Sequence, residues 1–531
     1  MLSIFIQIVF AIQAQVLKTQ YISNDTIWSE DTVRIYNNIV IENQATLQIE
    51  PGVYVEFQGN YSIDVYGKIK AIGNINDSII FTIDDYTSID DTTTTNGGWG
   101  GIRFLTNNSD TSSLSYCRFS FGKAVVPGVT WDDDNNEDNK GGAIYLKGYA
   151  HLTISNSTFY HNRASYRGGG IMISNCSSIQ LLNNTFKYNH VYFTGGGISI
   201  ESTSSSVING NLFLSNSAFY IVYTELGPFA GGAGGGLSVY CNSVISYNKF
   251  FSNNSASGTL YESSYNSLIY NNIIANNRGP GMLVGGWSVG ITKIINNTVV
   301  NNLNYSPGGC GFYFFSSTVM MRNNIVFGNN WDDDWHEPIQ VYSPLDIKAD
   351  FAYSCNPDSP DYYEGEGNIH DDPIFVNPTE GVGPDYDGSV ADWSLQNSSP
   401  CVNTGTPDTT GLILPEFDIA GNPRIYGNRI DMGAYENQVV VVGLPKNPLV
   451  NSTIEIMPNP FKDSFSINLF GENKINGISV MNQSGITLSY TKHFPTNGFM
   501  LINLNGYTSV LYLVVVEYTD GTRRVEKVLK Q

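Results

Sequence analysis

Arg163 and His190 stand 27 residues apart, and Arg167, Lys187 and Tyr188 lie within a few positions of one or the other. An arginine can neutralise a sugar carboxylate while a histidine or tyrosine moves a proton, the set a metal-independent lyase would need on an acidic glycan. The plainer account of the same five side chains is a group of solvated turn residues whose like charges are kept apart by water. A second candidate lies in "WDDDNNEDNKG" (131–141), where Asp132, Asp134, Asn136 and Asp138 occupy alternate positions as in a calcium loop. The glycine expected at the sixth place is Glu137, and no glutamate closes the loop at the twelfth, so a solvated acidic loop competes with a calcium site. The same holds for "WDDDW" (331–335).

Carboxylates are scarce where catalysis would need them. Between Gly141 and Asn330 there is no aspartate, and Glu201, Glu225 and Glu262 are the only glutamates, against eight lysines and arginines. Glycoside hydrolysis asks for a pair of carboxylates flanking the bond. A calcium-assisted lyase asks for an acidic cluster. Neither set exists in that stretch. The expectation is no cofactor, with calcium the one ion the pattern admits, and an activity leaning towards binding rather than catalysis.

These residues sit inside a repeat. The frame N-x-x-F-x-x-N appears at Asn156–Phe159–Asn162 and again at Asn183–Phe186–Asn189. It continues around Phe213 and Phe250, and with aliphatic centres at Ile274, Val299 and Val326, the steps being 27, 27, 37, 24, 25 and 27 residues. The trailing asparagine never changes: Asn162, Asn189, Asn216, Asn253, Asn277, Asn302 and Asn329. Five places before each centre stands Ile154, Leu181, Ile208, Ile245, Ile269, Ile294 or Met321. "GGAIYL", "GGGIMI", "GGGISI" and "GGGLSV" form a third repeating element. A period of this length signals stacked coils. Apolar residues alternate, as in Ile198 and Ile200, so the coils are built of short strands rather than helices. Stacked strands lie about 4.8 Å apart, which turns each repeated residue type into a column. Phenylalanine and isoleucine columns fill the interior. The asparagine column suits an inward bend, where each amide bonds the next and serves backbone otherwise left unpaired. The fold predicted is all-β: a right-handed parallel β-helix over 15–330, followed by a small antiparallel β-sandwich.

Among known families, the GGAI/GGGI and F-x-x-N elements resemble the repeats of polymorphic outer-membrane autotransporters, whose passenger domains are adhesins. The C-terminal membrane barrel of that family has no counterpart here. "DDPIFVNP" (371–378), "DWSLQNSSPCVNTG" (392–405) and "GNPRIYGNRIDMGAYE" (421–436) together resemble the choice-of-anchor Q domain. That resemblance implies terminal coils and a cap over the open sheet edge for 331–437, and no catalysis. Residues 438–447 read as a linker. Beyond it, 448–531 resembles a type IX secretion sorting domain: the turn Pro458-Asn459-Pro460-Phe461, the pair Gly506-Tyr507 and the basic C-terminus match its pattern. The resemblance implies a small antiparallel β-sandwich, engagement by the type IX secretion machinery and passage through the outer membrane.

The rest of the chain agrees with export. "MLSIFIQIVFAIQA" is mostly apolar and uncharged and reads as a signal peptide over 1–14. No other stretch is apolar for the roughly 18 residues a membrane span requires. With 27 basic and 48 acidic residues in 531, the net charge of −21 argues against nucleic acid as a partner. A monomer is expected, at the cell surface or in the medium by way of the periplasm. Polysaccharide is the candidate ligand, with the many tyrosines as possible stacking platforms. Six cysteines show no metal spacing. Cys355 and Cys401 are the best pair for a disulfide. Cys117, Cys176, Cys241 and Cys310 are expected as buried thiols.

Overall fold

The computed structural model describes residues 14–16, 20–105, 111–128, 134–224, 227–264, 266–286, 290–305, 309–315, 318–332, 337–343, 349–358, 365–438, 453–470, 475–482, 486–492, 498–508, 510–519 and 523–531. The leader, apart from its last residue, and the linker beyond Gln438 fall outside them. The chain forms two compact units, Met1–Val439 and Val440–Gln531.

In the first unit each coil contributes one strand to each of three sheets, twelve strands apiece among the described residues, and all pairings in these three sheets are parallel. One full coil shows the pattern. Ile171–Ser174 lies in the second sheet, Ser178–Leu182 in the third, Thr185–Lys187 in the first and His190–Val191 in a shorter fourth. Register follows the repeat: Phe159 pairs with Phe186 and then Phe213, Ile171 with Ile198, and Leu181 with Ile208. The phenylalanine rings stack along the interior at 4.7 Å for Phe159–Phe186, 5.1 Å for Phe186–Phe213 and 4.5 Å for Phe213–Phe250. All four rings are fully buried.

Buried asparagines close the bends. Asn162 Nδ2 donates to Asn189 Oδ1 at 2.9 Å, Asn189 to Asn216 at 2.8 Å, and so on through Asn253, Asn277, Asn302 and Asn329 to Gln340 Oε1. Each acceptor oxygen also takes the backbone N–H of the preceding asparagine, as Asn189 Oδ1 does from Asn162 N at 3.1 Å. A second row runs beside it at the bend entering the first sheet: Asn184, Asn211, Asn248, Asn272, Asn297 and Asn324. Glycines admit the tightest approach between coils: a β-carbon on Gly196 would stand 2.2 Å from the Gly235 carbonyl.

The outer face of the first sheet changes along the stack. Early coils present Tyr160 and Lys187; later coils present Phe251, Ile273, Ala275, Val300 and Ile325. Residues 371–437 cover those later coils, with Phe375, Trp393, Leu395, Met432 and Ala434 completing one apolar cluster. The segment expected to cap the sheet edge thus lies against the side of the coils, because that is where exposed apolar surface needs cover. The coils themselves run on to Cys355 and Ile369. The segment is fastened by turn asparagines of the helix: Asn296 Nδ2 donates to Asp431 O and Gly433 O, and Asn276 Nδ2 to Gly381 O. Arg424 and Glu436, both buried, pair at 3.1 Å, and Arg424 also donates to Asn271 Oδ1. Cys355 and Cys401, expected as a disulfide, are free thiols within hydrogen-bonding reach of each other in this apolar cluster. That contact, with burial, holds the Cys355 thiol well above its usual range.

The second unit has two antiparallel sheets sharing one apolar core. Phe461 is buried against Phe465 and Tyr512, and Asn459 bonds Lys527 O and Leu529 N, so the proline turn is tied to the last strand. Gly506 takes φ +88°, a conformation that favours glycine, and Lys530 Nζ donates to the carbonyls of Leu504 and Tyr507 around that turn.

Replacing Phe186 by alanine is expected to cost about 3–5 kcal/mol and Asn189→Ala about 1–3 kcal/mol, read by chemical denaturation. One carboxyl sits inside the coils. Glu262, in register between Val239 and Val284, is fully buried, accepts from Ser264, keeps Oε2 without a partner, and is pushed up to about 7 by burial. Between its ordinary 4.5 and about 7 the unfolded chain releases this proton while the folded one keeps it, so this group lowers stability as pH rises through that window. Glu262→Gln is expected to remove that decline and raise the melting temperature above neutral pH.

Candidate functional site

The fourth sheet is made of two-residue strands, and their two residues divide the work. Ala124, Ala164, Val191 and Ala218 point inward as one small apolar cluster. Their predecessors Lys123, Arg163, His190, Ser217 and Asn254 follow one another in register on the other face, and single bridges extend the row to Arg278 and Leu303. The row therefore carries one side chain per coil, about 4.8 Å apart.

Its N-terminal end is covered. Lys123 Nζ donates to the carbonyls of Ser88, Asp91 and Asn96 at 2.7 Å each, holding that loop over the row. From the loop, Asp90 pairs with Arg163 at 2.9 Å and reaches His161 at 3.5 Å. Arg163 lies 5.9 Å from the Tyr192 ring, and His190 meets the same ring edge-on at 5.4 Å. His190 Nε2 is buried without a partner. Burial, assisted by the Arg163 charge, pushes the imidazole down to about 3, so it is neutral at physiological pH.

Of the five residues proposed for catalysis, the structure sets Arg163 and His190 side by side on this row and the other three off it. Lys187 is on the first sheet, its ammonium 4.9 Å from the Tyr188 ring at the next turn. Arg167 lies past the row, against Tyr166, Phe193 and Tyr240, and is paired with Glu201. A histidine titrating near 3 is far from the near-neutral value a general base needs, and the Arg163 charge is already met by Asp90. In the acidic loop Asp134 pairs with Lys140 at 2.9 Å, Asp138 pairs with Arg103, and Asn136 accepts from the Asp138 N–H. These three groups are spent on local partners; Asp132 lies outside the described residues, as do positions 333–335 of "WDDDW". Among the described residues no group of three histidines, cysteines or carboxylates is placed to hold a metal ion, and no helix is long and apolar enough to cross a membrane.

Farther along, the row opens into a recess of about 420 Å³ lined by Phe219, Ile221, Ala230, Asn254, Arg278 and Tyr305. The 37-residue step in the repeat builds one wall: its extra length forms the antiparallel hairpin Tyr220–Thr224 with Gly227–Gly231, which supplies Ile221 and Ala230. Phe219 and Tyr305 meet edge to face at 5.7 Å. The Arg278 guanidinium lies 5.6 Å from the Tyr305 ring and pairs with Asp332 at 2.5 Å. Asn254 Oδ1 and the Tyr305 hydroxyl are buried with no hydrogen-bond partner. Burial pushes the Tyr305 phenol up, more strongly than Arg278 draws it down, which keeps it a neutral donor. The signal for Asn254 and Arg278 was in the sequence, since both stand four places after a repeat centre, as Arg163 and His190 do.

With the coils and the row in place, the class of fold is plain: the coils form a parallel β-helix. The model of the family described as "Right handed beta helix region" matches residues 127–228 and again 228–343. No curated protein matches the chain.

The depressed His190 value makes a prediction about acid. As pH falls from 6.5 toward 3 the unfolded chain takes up a proton that the folded one refuses, so this group's contribution favours unfolding increasingly through that window. His190→Gln is expected to flatten the acid limb of the stability profile, and the imidazole of the parent to keep its neutral-form NMR shifts at pH 5.

Proposed function

We propose that the protein is exported to the bacterial surface and that its β-helix binds a glycan at the open, later part of the outward row of the fourth sheet, in an adhesin-like or structural role. The observation that carries this is the open recess at the later end of the row: regularly spaced Asn254 and Arg278, flanked by the rings of Phe219 and Tyr305, with buried polar atoms that lack partners. Rings offer a face to the C–H surface of a sugar, and unpaired acceptors and donors offer places for hydroxyls. Export is supported by the apolar leader at 1–14 and by the likeness of 448–531 to type IX sorting domains, whose secretion machinery would be its partner. The protein acts as a monomer and without a cofactor.

Affinity electrophoresis through gels containing a panel of neutral and uronate polysaccharides tests binding. Retardation by at least one polysaccharide is expected, without the rise in ultraviolet absorbance that an unsaturated lyase product would give. Such a rise would favour the metal-independent lyase instead. Deleting 448–531 is expected to leave a folded, binding-competent β-helix in the periplasm of a host with the type IX machinery; full surface display of the shortened protein, read by fractionation, would refute the sorting role.

A further inference from the structure

We infer that the recess at Phe219, Asn254, Arg278 and Tyr305 is a subsite for a neutral pyranose unit bearing adjacent hydroxyls. The inference rests on the glycan-binding reading above and deepens it. Three observations fix the chemistry.

The first is size and wall. A recess of about 420 Å³ is within the range of small-molecule sites. Phe219, Ile221 and Ala230 line it with carbon, and the Tyr305 ring lies across from Phe219. Such a lining suits the C–H face of a sugar ring and resists a charged group, which would lose its water there.

The second is the pair of idle polar atoms. Asn254 Oδ1 accepts from nothing and needs a donor. The Tyr305 hydroxyl gives and accepts nothing. Both residues line the same recess. Buried polar atoms are ordinarily paired, so two in one recess indicate a ligand or solvent partner. Neither atom has accessible surface as the side chains stand, so a sugar reaches them where the Asn254 amide and the Tyr305 ring turn towards the recess; adjacent ring hydroxyls, each donor and acceptor at once, would then serve both.

The third is charge. Arg278 is the cation at the recess, and Asp332 already holds it. A sugar carboxylate would have to displace Asp332 and then sit beside it, so the pairing selects against uronates. The fold makes no hydrogen bond through Asn254 Oδ1 or the Tyr305 hydroxyl. Removing either atom therefore separates binding from stability.

The test uses the full chain on an immobilised array of neutral and uronate oligosaccharides, followed by calorimetry with the strongest neutral binder. Binding to neutral pyranosides is expected, about tenfold weaker in Tyr305→Phe and in Asn254→Ala, with melting temperatures unchanged. Asp332→Asn, which frees Arg278, is expected to gain affinity for uronate oligosaccharides. If the parent binds neutral glycans and both variants bind as tightly, the subsite is wrong while the glycan reading stands. If the parent binds uronates alone, the neutral class is wrong. If it binds nothing on the array, subsite and glycan reading fall together.

Discussion

A chain that coils must bend three times per turn, and at an inward bend a backbone N–H is left facing the core. Here an asparagine side chain from the next coil accepts it. Asn189 Oδ1 takes Asn162 N and Asn162 Nδ2 together, and each successive asparagine pair in both rows repeats the arrangement. An unpaired buried amide would cost about 1–3 kcal/mol at each bend, so the regular stack depends on this one side chain recurring at fixed places. The apolar columns add the larger burial energy, but the amides decide where the coil turns. They fix the strand register and thereby line up the outward residues of the fourth sheet.

Much of this was legible because a parallel stack converts sequence period into position. Counting three places beyond each centre finds the row from Asn162 to Asn329. Counting four finds Arg163, His190, Ser217, Asn254 and Arg278. The same count two places before each centre gives the second asparagine row, at Asn184, Asn211, Asn248, Asn272, Asn297 and Asn324, a row less evident than the invariant trailing position because its first place, before Phe159, is Ser157. The period carries no information about non-repeating parts. Tyr305 and Phe219 meet because a hairpin and a turn stand out from the coils, so their pairing is a matter of tertiary packing. The loop carrying Asp90 covers Arg163 and His190 for the same reason: it belongs to an earlier coil, and its contact with the row has no sequence spacing.

The placement of 371–437 had a readable signal of another kind. Outward positions on the first sheet pass from Tyr160 and Lys187 to Phe251, Ile273, Ala275 and Val300. An outward apolar column on a coil stack is a request for cover, and the segment that follows supplies it. The open strand edge is one demand on a terminal segment; the apolar flank is another, and here it is the flank that 371–437 covers. The buried Arg424–Glu436 pair within it illustrates why its charged residues are held in a motif: each charge is desolvated and must be matched.

The asparagine rows have a consequence for the field around the molecule. In both rows one amide N–H donates to the Oδ1 of the later coil and the other to a backbone carbonyl of the earlier coil; every Oδ1 that takes part faces the earlier coil, so the amide C=O dipoles point the same way and add, as peptide dipoles do in a helix. Two parallel chains of aligned amides give the coil stack an axial polarity, positive toward its C-terminal coils and negative toward its N-terminal ones. Each hydrogen bond also polarises its neighbours. A break in the middle of a row would therefore be felt by coils on both sides, whereas one at an end would be felt on one side only.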